Sequence, residues 1–233
     1  MITIIGAQKR DYSDDGWRRV RRLFPANSIH EIGNTHFGKI LIVNDYTIFP
    51  GFGFDMHPHQ NLEQIFLIMD GELTHCDSLN NMITLKKNFV QHITAGSGYA
   101  RSFYNYGVSP AWYISVWFLP KTQNALPTHE TREYNPLAWH NKFFPIVSNM
   151  PIDAQDVILF NADATLYRST IENSQLSLFV TSGQKALLYI IDGEASCNDE
   201  KMTAGSHVRI IGEENIILHS DKKAECIFVL MKT

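Results

Sequence analysis

His57 and His59 stand two residues apart in the run Met56-His57-Pro58-His59, and Glu63 follows shortly after. On a strand, side chains at i and i+2 leave the same face, so the two imidazoles would converge on one place. With a carboxylate close behind, they offer the donor set of a 2-His-1-carboxylate face. That set suits a first-row transition metal and leaves positions open for a substrate and dioxygen. His57, His59 and Glu63 are therefore the candidate metal ligands.

Other reactive residues carry weaker signals. His92 precedes a Thr-Ala-Gly turn and is expected as a partly exposed strand histidine making one hydrogen bond, with a replacement ligand as the alternative. His75, Cys76 and Asp77 cluster after Asp70-Gly71-Glu72 and are expected in an outer loop region with a structural or surface role. Cys76 has no adjacent base to activate it. Trp17-Arg18-Arg19-Val20-Arg21-Arg22 is the only dense basic run. Strand alternation sends Arg19 and Arg21 one way and Arg18 and Arg22 the other, which splits a phosphate-binding patch. A solvated edge strand that discourages aggregation is the expectation. No Ser-His-Asp arrangement or phosphate-binding glycine loop is evident.

The elements that must position these residues read as strands almost throughout. Lys39-Ile40-Leu41-Ile42-Val43, Gln64 to Met69 and Trp112 to Leu119 are short runs, rich in β-branched and aromatic residues and bounded by turn residues. Many short strands at this spacing indicate a sandwich or barrel. Short turns of helix are expected only near Pro136 to His140. An internal echo is also present. Phe66 to Glu72 (Phe-Leu-Ile-Met-Asp-Gly-Glu) recurs as Leu188 to Glu194, and Thr94-Ala95-Gly96-Ser97 recurs as Thr203-Ala204-Gly205-Ser206. Each Asp-Gly-Glu reads as a hairpin turn. Two β-barrels in tandem explain the echo most simply. The second half has no His-x-His, so the chemistry is assigned to the first barrel.

The chain of 233 residues has 44% apolar, 19% charged and 12% aromatic residues, enough for a sizeable core. A formal charge of −4 gives no global attraction to nucleic acid. No apolar run approaches the roughly 20 residues of a membrane span, and Met1 to Gly6 lack the basic leader of a signal peptide. Three widely spaced cysteines without a CxxC pair argue against disulfides and for a reducing cytoplasm.

The pattern Gly51-x5-His57-x-His59-x3-Glu63-x7-Gly71, then Gly98-x2-Arg101-x3-Asn105, resembles the two-part signature of the cupins. His57 to Glu63 (His-Pro-His-Gln-Asn-Leu-Glu), Asp70 to Ser78 and Thr94 to Gly98, with Gly16-Trp17 and Asn44-Asp45, look like the pirin family over most of residues 1 to about 135. The resemblance implies an all-β bicupin, two tandem barrels of the double-stranded β-helix or jelly-roll type. The divisions expected are 1–125 for the N-terminal barrel, 126–150 for a linker and 151–233 for a C-terminal barrel without a metal motif. It also implies a divalent transition metal, Fe(II) above others, in the first barrel, and either quercetin 2,3-dioxygenase activity or a role in transcriptional regulation.

The family's ligands are the two histidines of His-Pro-His, matched by His57 and His59, plus a histidine and a glutamate whose positions here are Arg101 and Phe103. Arginine has no lone pair to give a cation. Two readings follow. In one, Glu63 is the third ligand and Arg101 orients a substrate or its anion. In the other, Glu63 pairs with Arg101 inside a metal-free, positively lined pocket. The expected partner is a small aromatic or enolic ligand, without membrane or nucleic acid. The function is a metal-dependent quercetinase-type dioxygenase or, alternatively, a metal-poor ligand-binding or regulatory protein.

Overall fold

The computed structural model describes every residue except 25–35, 151, 153–155, 213 and 233. The strands of the first half and N-terminus are β1 (Ile2–Ile5), β2 (Asp11–Asp14), β3 (Arg18–Arg22), β4 (Ile40–Ile48), β5 (Gly53–His59), β6 (Glu63–Asp70), β7 (Glu72–Asp77), β8 (Met82–Lys86), β9 (Phe89–Thr94), β10 (Tyr99–Tyr104), β11 (Ala111–Phe118) and β12 (Thr128–Glu133). Those that follow are β13 (Phe144–Ser148), β14 (Ile158–Leu159), β15 (Ala164–Val180), β16 (Gln184–Cys197), β17 (Glu200–Thr203), β18 (His207–Ile211) and β19 (Glu214–Lys232). One 3-10 turn at Pro136–Trp139 falls where a short helix is expected. Among the described residues, no helix is long and apolar enough to cross a membrane.

The N-terminal barrel is built from a seven-stranded sheet in the order β12-β9-β6-β11-β4-β3-β2 and a four-stranded sheet in the order β5-β10-β7-β8. Side chains from both sheets meet in one core, with Ile48, Phe66, Ile68 and Tyr113 from the large sheet and Leu73, Leu85, Tyr99 and Phe103 from the small one. The three clearest apolar runs in the sequence became β4, β6 and β11, the central strands of the large sheet. The C-terminal barrel is one sheet in the order β1-β18-β16-β19-β15-β13-β14, with β17 on β16. Its strands β15, β16 and β19 run for 17, 14 and 19 residues and enclose a core that includes Ile171, Leu188, Val208, Ile216 and Phe228.

The echoed Asp-Gly-Glu segments are corners and not hairpins. At Gly71 the chain leaves β6, which pairs with β9 and β11, and enters β7, which pairs with β8 and β10. At Gly193 the strand β16 continues, and its register against β19 breaks. Both glycines have positive φ, 70° and 79°, and a Cβ would lie 2.6 Å from the Pro110 carbonyl oxygen at the first and 2.1 Å from that of Lys223 at the second. Glycine is required at each corner by backbone conformation and by close approach together.

The chain divides differently from the expected 1–125, 126–150 and 151–233. One unit comprises Asp11–Asn135 with Phe160–Ala162, and the other comprises Met1–Arg10, Pro136–Leu159 and Asp163–Thr233. β1 joins the C-terminal unit by pairing antiparallel with β18, Ile2 opposite Ile210. The stretch 126–150 carries β12, paired with β9, and β13, paired with β15. Pro151, where the expected C-terminal barrel begins, lies outside the described residues. Pairings between distant parts of the chain leave no local pattern to read, which is why the sequence misplaces them.

The basic run forms β3, which is not itself the edge, because β2 covers it. Arg18, Arg19 and Arg22 pair with Asp15, Asp14 and Asp11 at 2.7, 2.9 and 3.0 Å. The local charge is thereby largely neutralised.

Candidate functional site

The site lies inside the N-terminal barrel, where β5 pairs with β10. His59 faces Tyr99 and His57 faces Arg101, and then the register shifts so that Phe54 faces Phe103. Three residues of β5 thus oppose two of β10, a bulge that re-aims the strand and brings both His57 and Phe54 to the interior. The same bulge turns the Asp55 carbonyl onto His57, with Nδ1 at 2.6 Å from the oxygen. A carbonyl only accepts, so Nδ1 carries the proton and Nε2 keeps its lone pair. The His57 and His59 rings lie 4.7 Å apart, edge to face, and His59 packs edge-on to Trp117 at 5.1 Å. The Nε2 of His59 is buried without a hydrogen-bond partner. Burial, then the charges of Arg101 and His57, push the His59 imidazole down to about 3, so it is neutral at ordinary pH.

Glu63 is not part of this site. It is fully buried on the opposite face of β6, where its Oε2 accepts from Thr94 Oγ1 at 2.9 Å and from the Asn161 backbone N–H at 3.2 Å and lies 2.7 Å from His92 Nε2. Both expected roles, third ligand and partner of Arg101, are corrected by this placement. Adjacent residues on a strand point to opposite faces, and it is Gln64 that faces inward. Its Oε1 accepts from Arg101 Nε at 3.0 Å. His92 is likewise buried and not partly exposed, and its hydrogen bond goes to Glu63.

Arg101 is 3% exposed and forms no ion pair among the described residues. Its guanidinium lies between aromatic faces, 4.7 Å from the Phe66 ring centre and 4.8 Å from that of Phe103, with Trp117 at 5.9 Å. Burial lowers its pKa to about 10, and it is still cationic at neutral pH. Together with His57, Phe66, Tyr113, Ser115 and Trp117 it lines a cavity of about 80 Å³. The sequence reading missed Gln64, Tyr113, Ser115 and Trp117, although alternation along β6 and β11 puts Phe66 and Gln64 on one face and Tyr113, Ser115 and Trp117 on another.

His75 and Asp77 also lie inside the barrel, not in an outer loop. His75 is fully buried beside Gln91, whose Nε2 is 2.9 Å from its Nδ1. Asp77 accepts from the Tyr99 hydroxyl and from the backbone N–H groups of Leu79 and Asn81. It locks the turn after β7 and so has the structural role expected of it. Cys76, between them, points away and is half-buried. A larger hollow of about 490 Å³ in the C-terminal barrel is lined by exposed side chains such as Asp199, Lys201 and Asp221. It holds no buried polar group comparable to Arg101, so the smaller cavity is the better candidate.

Comparison with known proteins agrees with this architecture. Residues 7–118 match the Pirin family model, and residues 146–231 match that of the quercetinase C-terminal cupin domain. A pirin-like protein of Caulobacter vibrioides is 26% identical over 219 residues, 93% of this chain and 94% of its own length. The quercetin 2,3-dioxygenase of Escherichia coli K12 is 23% identical over 230 residues, 97% of each chain. The crystal structure of the E. coli pirin YhhW in complex with nickel(II) superposes with a TM-score of 0.90 at 22% identity, covering 100% of this chain and 99% of that one. With residues 7–118 matched by the pirin model, residues 146–231 by the quercetinase C-terminal cupin model and the fold shared end to end, the chain is a pirin-like bicupin.

Proposed function

We propose that the N-terminal barrel is a small-molecule pocket for an oxyanion (an enolate, phenolate or carboxylate) recognised by Arg101. The observation that carries this reading is a guanidinium almost wholly out of water with no carboxylate among the described residues to balance it. Desolvating a cation without an anion is unfavourable, and a ligand that brings the negative charge removes the imbalance. The cytoplasm is the proposed compartment, supported by the three free cysteines.

A divalent metal is supported by the His57 and His59 pair and by relatives that include the nickel(II) complex of YhhW. Fe(II) is the finer expectation from the resemblance. The donors present do not fit a resident centre of either metal. Only two imidazoles converge, Arg101 and Phe103 occupy the remaining direction, and no three His, Cys, Asp or Glu side chains among the described residues come together to hold an ion. Stable transition-metal sites use three or four protein ligands.

Metal analysis of protein purified without chelators tests the reading. Less than about a tenth of an equivalent of iron, nickel, manganese or copper, unrestored by reconstitution, is the expected result. Stoichiometric metal together with turnover of quercetin would replace it with the dioxygenase reading named for the E. coli relative.

A further inference from the structure

The size and wall chemistry of the Arg101 cavity narrow what it can take. This step rests on the oxyanion reading above. Of the N–H groups on the guanidinium, only Nε–H has a protein acceptor, Gln64 Oε1. The two terminal nitrogens have no partner among the described residues, and the side chain lines the cavity. The Ser115 and Tyr113 hydroxyls line the same space, and neither has a hydrogen-bond partner among the described residues. Ser115 is 2% exposed and Tyr113 3%. Several donors therefore face one cavity, and among the described residues only Gln64 Oε1 lies within hydrogen-bond distance of any of them. Trp117 Nε1, on the same wall, is buried without a hydrogen-bond partner among the described residues, and unsatisfied buried donors are uncommon in folded proteins.

The void measures about 80 Å³. On this measure a water takes about 10–15 Å³, so the space holds roughly six water-sized groups, fewer than the heavy atoms of benzoate. Pockets for drug-sized ligands measure about 300–1,000 Å³. A flavonol, with a fused bicyclic core and a pendant ring, exceeds the space several-fold. A compact planar anion fits it, and the fork of guanidinium N–H groups matches the two oxygens of a carboxylate.

We propose that the cavity is a binding site for a small carboxylate of formate to acetate size, held by the terminal edge of Arg101 with the Ser115 and Tyr113 hydroxyls on its remaining lone pairs. The rings of Phe66 and Trp117 form apolar sides, and the small volume disfavours larger acids. The hydroxyls donate, the carboxylate accepts, and the pocket becomes neutral overall.

Isothermal titration of the full chain with formate, acetate, benzoate and quercetin, against sodium chloride as the ionic control, tests this. Acetate and formate are expected to bind one to one, with benzoate and quercetin at least about tenfold weaker. Arg101→Gln should weaken acetate by about tenfold or more, the equivalent of losing a charge-assisted hydrogen bond. Ser115→Thr, which adds one methyl group to the void, should weaken acetate while sparing formate, and this ratio is readable even if Arg101→Gln fails to fold. Benzoate or quercetin binding as tightly as acetate, or an unchanged formate-to-acetate ratio in Ser115→Thr, overturns the small-carboxylate inference and leaves the oxyanion pocket standing. Binding of none of these ligands, or binding indifferent to Arg101→Gln, overturns both.

Discussion

Arg101 is a cation held among aromatic rings, and its charge meets no anion among the described residues. Replacing even a buried ion pair by apolar side chains of similar volume is often neutral or stabilising, by about 1–4 kcal/mol, and a buried cation without a counter-ion has no Coulombic pairing to lose. Arg101→Met should accordingly unfold at equal or higher urea concentration than the parent while losing the anion. A clear loss of stability would mean that the Gln64 hydrogen bond and the contacts with the Phe66 and Phe103 rings outweigh the cost of burying the charge. Glu63 predicts the opposite. It anchors His92, Thr94 and the Asn161 backbone at once. Glu63→Ala strands those buried groups and should cost about 1–3 kcal/mol in urea unfolding. Because Glu63 is on the other face of β6, any metal or anion bound near His57 should be retained in that variant.

Two backbone devices place these side chains. The bulge in β5 turns His57 inward and fixes its tautomer through the Asp55 carbonyl. The corner at Gly71 carries the chain from the large sheet to the small one, so that β7 can bring His75 and Asp77 into the barrel. Gly71→Ala would hold a side chain at positive φ against the Pro110 carbonyl. The conformational term alone is about 1–2 kcal/mol, and the contact adds to it. The expected outcome is a lower urea midpoint with an unchanged slope. An unaffected midpoint would show that the corner relaxes freely. His57, His59 and Arg101 were legible as a group because a short motif and simple alternation specify them. The two corners were misread as hairpins, since Asp-Gly-Glu marks a change of direction without saying which strands it joins.

Across the molecule, the buried histidines set the response to acid. His75 in the N-terminal barrel is depressed to about 4, by burial first and then by the charge of Arg101. His207 in the C-terminal barrel is depressed to about 3, by burial first and then by Arg209 and Arg10. Both are neutral when folded, whereas an unfolded histidine takes up a proton below about 6.5. The unfolded chain therefore binds more protons between about pH 6.5 and these folded values, and stability falls as pH drops through that window. Each fully engaged histidine contributes a slope of about 1.4 kcal/mol per pH unit. Urea unfolding at pH 7 and pH 5 should show a marked loss at the lower pH, and His207→Gln should flatten it. Equal stability at the two values would mean that these rings are protonated in the folded protein.

Local pattern carried much of the reading. Short β-branched and aromatic runs specify the strands, and the repeated Asp-Gly-Glu and Thr-Ala-Gly segments specify two similar barrels. The His-Pro-His spacing puts two imidazoles on one face, and the substitution at Arg101 flags the altered pocket. All of these depend on residues close together in the chain. The side of β6 that faces the cavity was not readable, because this strand is buried on both faces and its hydropathy does not alternate. Glu63 and Gln64 could each have been the inward residue, and long-range pairing with β9 and β11 chose Gln64. The same non-local pairing sent β1 to the C-terminal barrel and β12 to the N-terminal one. Cavity size and, among the described residues, the missing counter-charge of Arg101 and the absence of a third donor beside His57 and His59 emerge only when distant strands are packed together.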